Sequence, residues 1–280
     1  MKTTIPEELK KDLPQTPWGK ILTATPVIMT VIATLLAGLA SSEMTRAQYD
    51  RALGAQLQSK AGDQWSYFQA KKMRSALQHN SLELLEATAD VHPIENPALD
   101  KIPSVAAPAL DANLQAALDA VGMDKPEVEI TAALKPVNDK NIAAALQAAR
   151  DQARDFDAAL APANQALAQL EKSLPAGDKS AARDLTAAKM RFSAARYDAE
   201  AQLNQKIANL LELQVRKANI SAERHHRRSG KFFFGMLAAQ AAVIVSTLAM
   251  AARQRNLLWM LAAAAGIAAV IFAIYVYLRV

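Results

Sequence analysis

Ile21 to Ala40 (ILTATPVIMTVIATLLAGLA) carries no charged residue. Neither does Phe232 to Ala252 (FFFGMLAAQAAVIVSTLAMAA), nor Leu257 to Leu278 (LLWMLAAAAGIAAVIFAIYVYL). Each run is about 20 residues, enough to cross a hydrocarbon layer of roughly 30 Å as a helix. Trp18, Trp259, Tyr275 and Tyr277 lie near the ends of these runs, where amphipathic rings favour the interface. The chain is therefore expected to be an all-α membrane protein. Its parts are an N-terminal tail (1–20), a first transmembrane helix (21–41), a long extramembrane insert (42–231) and two further spans (232–252 and 257–278). The competing reading of the first run is a signal peptide, with small residues in AGLASS. The long preceding segment, with Glu7, Glu8 and Asp12, favours an uncleaved anchor.

Only RQRN, Arg253 to Asn256, joins the last two runs, so they are expected to form an antiparallel hairpin. The insert then lies on one side of the bilayer, and the tail and short loop on the other. Lys2, Lys10, Lys11, Lys20, Arg253 and Arg255 flank the spans on the tail side. Positive charge in short loops marks the cytoplasmic face, which places the insert in the periplasm of a bacterial inner membrane. The basic RHHRR before the second span argues the opposite orientation. Net charge is +5, and because the cations sit beside apolar runs, anionic lipid is the expected partner rather than nucleic acid. Cysteine is absent, which excludes a thiol nucleophile and cysteine-ligated zinc.

The insert is rich in Ala, Leu, Gln, Lys and Glu, residues that lose little freedom in a helix, and no period-two run suggests a strand. No proline occurs from Ser41 to Ala89, or from Lys179 to Arg228. Two long helices, coiled-coil-like, are expected there as an antiparallel stalk, with a bend at Ser229-Gly230. At 1.5 Å per residue such a stalk would reach roughly 65 Å. The first helix shows a stripe of Leu53, Leu57, Ala61, Trp65 and Phe68, and the second a seam of Leu185, Phe192, Ala199, Leu203, Ile207 and Leu210. Between them lies a proline-marked crossover at 90–108. Short helices follow at about 109–120, 141–161 and 163–174, with Gly177-Asp178 as stop and N-cap.

DQWSYFQAKK, Asp63 to Lys72, holds three of the few aromatic residues (Trp 3, Tyr 5, Phe 7). Trp65 lies about 36 Å of helix beyond the first span, too far for an interfacial ring. At about 100° per residue, Trp65 and Phe68 share a face and Tyr67 points nearly opposite. Trp65 and Phe68 are expected to pack near Leu203, Ile207 and Leu210. Tyr67 needs a second neighbour, from a distal helix or another subunit. The alternative reading is a recognition surface rimmed by Gln64, Gln69, Lys71 and Lys72.

DQWSYFQAKK resembles the signature of an uncharacterised bacterial membrane family, domain of unknown function 4337. RHHR at Arg224 to Arg227, Gln240 within the second span, and LLW at Leu257 to Trp259 are similar as well. The resemblance implies one N-terminal span, a helical insert and a C-terminal two-span hairpin. It covers about 20–89 and 197 to the C-terminus, with 90–178 read as an enlarged insert. It implies no activity.

No ionisable residue lies mid-span, which argues against a pump. Gln240 is expected to bond another helix, or else to line a pore with Thr30 and Thr34. Small residues at Thr30, Thr34, Gly38 and Ser42, at Gly235 and Ala239, and at Ala262 and Gly266 favour close helix contact. His225 and His226 are adjacent, a poor ligand spacing compared with i, i+4, so no metal is expected. RHHRRSGK is expected to meet lipid headgroups through Arg224, Arg227, Arg228 and Lys231. No nucleotide or hydrolase motif is present, so neither a catalytic residue nor a cofactor is expected. The expected function is a structural or accessory subunit, oligomeric, that docks partners through its stalk. A passive oligomeric channel is the alternative.

Overall fold

The computed structural model describes residues 17–279 except 101, 104, 106–109, 176 and 252–254. The expectations placed on residues 1–16, on the side chains of Trp18 and Lys20, and on Arg253 and Arg255 lie outside the described residues. The described residues contain helices and no strand. In chain order the helices are α1 (Pro17–Thr88), α2 (Pro97–Asp100), α3 (Ala112–Gly122) and α4 (Glu127–Leu134), then α5 (Asp139–Ala159), α6 (Ala161–Ser173), α7 (Lys179–Ala251) and α8 (Arg255–Arg279).

The helix boundaries follow from local chemistry. α1 begins at Pro17, contains one interior proline, Pro26, and then runs unbroken to Thr88, five residues before Pro93. Gly177 adopts a left-handed φ of 90°, and Asp178 Oδ1 then accepts from the amides of Ser180 and Ala181 at 3.0 Å each, capping α7. Asn138 caps α5 in the same way through the amide of Lys140, at 3.0 Å. α7 continues as helix through Ser229 and Gly230, the position where a bend was expected. α4 was not expected. Its sequence, EVEITAAL, mixes β-branched residues into a short stretch between two prolines, so propensity alone favours no helix there.

The chain divides into two compact units, 1–52 with 219–280, and 53–218. Three of its helices, α1, α7 and α8, are long and apolar enough to cross a membrane.

The first unit is built of α1, α7 and α8 with small residues inward. Ala33, Leu36 and Ala40 of α1 meet Phe232 and Ala239 of α7 and Ala269 and Val276 of α8 in one cluster. Ala242, Ser246, Ala249 and Ala262 are buried too. Most of the large apolar side chains point outward, among them Val27, Val31, Leu35, Phe234, Ile244, Leu248, Met260, Ile267 and Ile271. Ser229 Oγ donates to the Ala40 carbonyl at 2.7 Å. This bond sets the antiparallel register of α7 on α1 and places Ala47 opposite Ala222, both buried.

The second unit gathers α2 to α6 around the remaining lengths of α1 and α7. On α1, the residues turned inward are Gly54, Ala61, Ser75 and Leu82 with half-buried Phe68, seven residues apart. On α7 they are Ala187, Ala194, Ala201, Ala208 and Val215, again seven apart. A seven-residue repeat of this kind is the seam of a coiled coil. Ser75 Oγ donates to the Ala194 carbonyl at 3.1 Å, which sets the register and brings Phe68 opposite Ala201 and Ala61 opposite Ala208. The stripe expected from Leu53, Leu57, Ala61, Trp65 and Phe68 shares Ala61 and Phe68 with these positions, and Leu53, Leu57 and Trp65 are half-buried beside them. Alanine and glycine carry little hydropathic signal but permit close backbone approach.

The larger apolar residues of α7 serve a different neighbour. Phe192, Ala199 and Leu203 cluster with Leu99, Phe156, Leu160 and Ala163 from the intervening helices. The seam expected on α7 to face α1 is thus, at these positions, the face that holds α2, α5 and α6. Elsewhere α3 packs on α4 and α2 on α6. Lys217 binds the Val137 carbonyl and pairs with Asp139 at 2.8 Å, fastening the start of α5 to α7.

Candidate interaction surface

The aromatic motif lies on α1 within the second unit. Trp65 and Phe68 are half-buried and meet edge to face, with ring centroids 5.6 Å apart and planes at 83°, an arrangement the ring quadrupoles favour. Ile207 and Leu210 are buried on α7, while Leu203 is turned into the cluster around Phe156. Tyr67 is 56% exposed, so among the described residues no distal helix covers it as its position calls for. Gln64 is half-buried, and among the described residues its Oε1 has no hydrogen-bond partner. Gln69 is exposed.

The two lysines of the motif turn toward α7 rather than forming an open rim. Lys71 pairs with Glu200, whose other oxygen accepts from Arg196 Nε at 2.6 Å. Glu200 is buried, so this carboxylate is offset by two cations where water scarcely reaches it. Burial opposes the charge of Arg196, but its hydrogen bond and attraction to Glu200 outweigh that, and its pKa is raised. Lys71, Arg74 and Arg196 all lie within 6 Å of the Tyr197 ring centroid, at 5.2, 5.9 and 5.8 Å, a distance at which cations are attracted to the ring face. Lys72 donates to Asp198 at 2.9 Å, and His79 Nε2 lies 3.7 Å from the same carboxylate. Burial pushes the Asp198 carboxyl up, yet the Lys72 bond and charge bring it below the usual carboxylate value.

The outer side of α1 remains uncovered. Met73, Leu77 and Leu84 are exposed large apolar residues, joined by exposed Ala70, Asn80 and Ala87. These six positions alternate spacings of three and four, the pattern of a second helix-packing stripe. It lies nearly opposite the buried seam, since Leu77 is about 200° around the helix from Ser75.

In the first unit the basic segment divides into an inner and an outer set. Arg224, His226 and Arg227 are exposed and Lys231 half-buried. Arg227 bonds Glu223 at 2.9 Å, and that bond draws the Glu223 pKa down. His225 and Arg228 face inward. His225 Nδ1 lies 2.5 Å from Glu43 Oε2, and Nε2 lies 4.0 Å from Asp50. Arg228 Nη2 donates to the Tyr277 carbonyl at 3.1 Å, and Nη1 lies 3.9 Å from Glu43. Arg228, expected at headgroups, is half-buried and caps the last turn of α8, where a cation complements the helix dipole. An open groove of about 560 Å³ beside His225 is lined by Thr45, Arg46, Tyr49, Asp50 and Ser221. Among the described residues no three His, Asp or Glu side chains converge to hold a metal.

The residues of the pore-lining alternative, Thr30, Thr34 and Gln240, are all exposed. Thr30 and Thr34 are exposed, and their hydroxyls donate to the carbonyls of Pro26 and Thr30 at 2.8 and 2.9 Å. Gln240 is exposed on the outer face of α7.

A family model described as domain of unknown function 4337 matches residues 18–161. No curated protein and no solved structure matches the chain. The match takes in 90–161, which were expected to fall outside the family, and stops before 197–280, where likeness was expected. Alanine- and proline-rich helices carry no conspicuous motif, so they read as an insertion, whereas apolar spans look alike in many proteins.

Proposed function

The chain belongs to the domain of unknown function 4337 family, and from its geometry we propose that it is a multi-pass membrane scaffold that docks a partner helix on the outer face of α1. Immersion of the first unit is supported by its packing, in which mostly small residues lie inside and most of the large apolar residues lie outside. In lipid this is the arrangement that lets backbones approach closely, whereas in water it would expose an apolar patch of a size that soluble monomers avoid.

The observation that carries the docking role is the exposed stripe of Met73, Leu77 and Leu84 beside Tyr67. The inner face of α1 is already filled by α7, and the lysines of the motif are already paired. What remains for a partner is an apolar ridge with helical spacing, which suits an amphipathic helix laid alongside it. The compartment we assign is a bacterial inner membrane, with the insert periplasmic by the balance of flanking charge. Thr30 and Thr34 spend their hydroxyls on their own helix, so no observation favours a channel.

The test is affinity purification from native membranes of the full chain, the Leu77→Arg and Leu84→Arg variants, and a Lys60→Glu control on another exposed face. A partner retained by the parent and the control but lost from both stripe variants, each still in the membrane fraction, supports the reading. A chain recovered in the soluble fraction, or partners indifferent to Leu77 and Leu84, would sink it.

A further inference from the structure

Among the described residues Gln240 makes no hydrogen bond and is exposed on α7. Its neighbours on that face are Phe233, Leu237, Ile244 and Thr247, all exposed. With Gln240 they are spaced four, three, four and three, the interval of one helix-contact stripe. The Thr247 hydroxyl already donates to the Ile244 carbonyl at 2.8 Å. The carboxamide of Gln240 is thus the polar group on this face left without a partner, and it sits near the middle of an uncharged run of about 20 residues. In hydrocarbon nothing else on the stripe can receive its two N–H donors or satisfy its carbonyl oxygen.

We infer that this face of α7 is a contact between two copies of the chain, closed by a Gln240-to-Gln240 amide pair. The inference rests on the membrane reading above. The occupant follows from the chemistry of the group. A carboxamide carries donor and acceptor together, so it is its own complement. About a two-fold axis along the bilayer normal the two α7 helices run parallel, and each residue of the stripe meets its own counterpart. One amide then donates to the carbonyl of the partner's Gln240 and accepts from its N–H₂, so a single residue type satisfies both sides. Phe233, Leu237 and Ile244 supply the flanking packing. An isologous contact of this kind closes at two copies. A lipid-facing alternative leaves the amide unsatisfied in every copy.

Because the chain has no cysteine, single substitutions report the contact cleanly. Leu237→Cys and Ile244→Cys are placed in the full chain, with Val31→Cys and Leu261→Cys as exposed controls on other helices. Each is oxidised in membrane vesicles with copper phenanthroline. Disulfide-linked dimers are expected at 237 and 244 and not at 31 or 261. Adding Gln240→Leu to either reporter should lower the dimer fraction about threefold to tenfold, the range of a single interhelical amide bond, while leaving the chain membrane-bound. Equal crosslinking at all four sites, no crosslinking at 237 and 244, or a dimer fraction unmoved by Gln240→Leu would each overturn the inference. Carbonate extraction of the same vesicles separates this failure from failure of the membrane reading. A monomer that resists extraction refutes the amide contact alone, and a chain that extracts refutes both.

Discussion

Ser75 Oγ reaches the backbone carbonyl of Ala194 on a different helix at 3.1 Å. A hydroxyl on so short a side chain can do so only where two helix backbones lie close together. That closeness comes from Ala61, Ala194, Ala201 and Ala208, all buried at or near zero exposure. Enlarging one of them should force the helices apart. Ala201→Leu and Ala208→Leu are expected to destabilise the second unit by about 1–3 kcal/mol, the usual range for overpacking. Ser75→Ala should cost about 1 kcal/mol through the lost bond. Thermal unfolding followed by circular dichroism measures all three, and unchanged melting for both leucine variants would contradict the seam.

Met29 occupies the space where a side chain at position 266 would begin. A Cβ added to Gly266 would overlap the Met29 thioether. Gly266→Val should therefore destabilise the first unit by about 1–3 kcal/mol. Gly266→Ala should be relieved by Met29→Ala in the same chain, because the flexible thioether is the obstacle. The double-mutant cycle in detergent should show a favourable coupling, and strictly additive effects would argue that the two residues do not touch.

Glu200 stands between Lys71 and Arg196 with almost no access to water. Glu200→Gln leaves two cations facing a neutral group and is expected to cost about 3 kcal/mol. Lys71→Ala should cost less, since Arg196 still pairs with the carboxylate. Reversal of that order in denaturant unfolding would mean that packing of the lysine stem, not its charge, matters most.

Asp198 binds its proton less tightly in the folded chain than an ordinary carboxylate, for although burial raises its pKa, Lys72 lowers it further. A depressed carboxyl stabilises the fold above its unfolded pKa of about 3.9, and that contribution is lost as pH falls through the lower folded value. Asp198→Asn should therefore melt below the parent at pH 7, with the gap closing below about pH 4. A gap of the same size at pH 7 and pH 2 would show that the carboxylate charge is not its source. Solvent screening keeps the effect small, because Asp198 and Lys72 are both partly exposed.

Much of the architecture is legible in the residues alone. Three uncharged apolar runs, the absence of proline from two long stretches and the Gly177-Asp178 stop all follow from local chemistry. So does the division of the aromatic motif, with Trp65 and Phe68 on one side and Tyr67 on the other, because helix geometry separates neighbours regardless of what surrounds them. What only the tertiary structure decided is which of several buried stripes meets which partner. On α7 the conspicuous residues, Phe192 and Leu203, face α5 and α6, while the alanines at 187, 194, 201 and 208 face α1. Alanine is common throughout this chain, and its worth at a seam is the close approach it permits rather than the area it buries. Such a contribution belongs to a pair of helices in register, and one strand of sequence does not contain it.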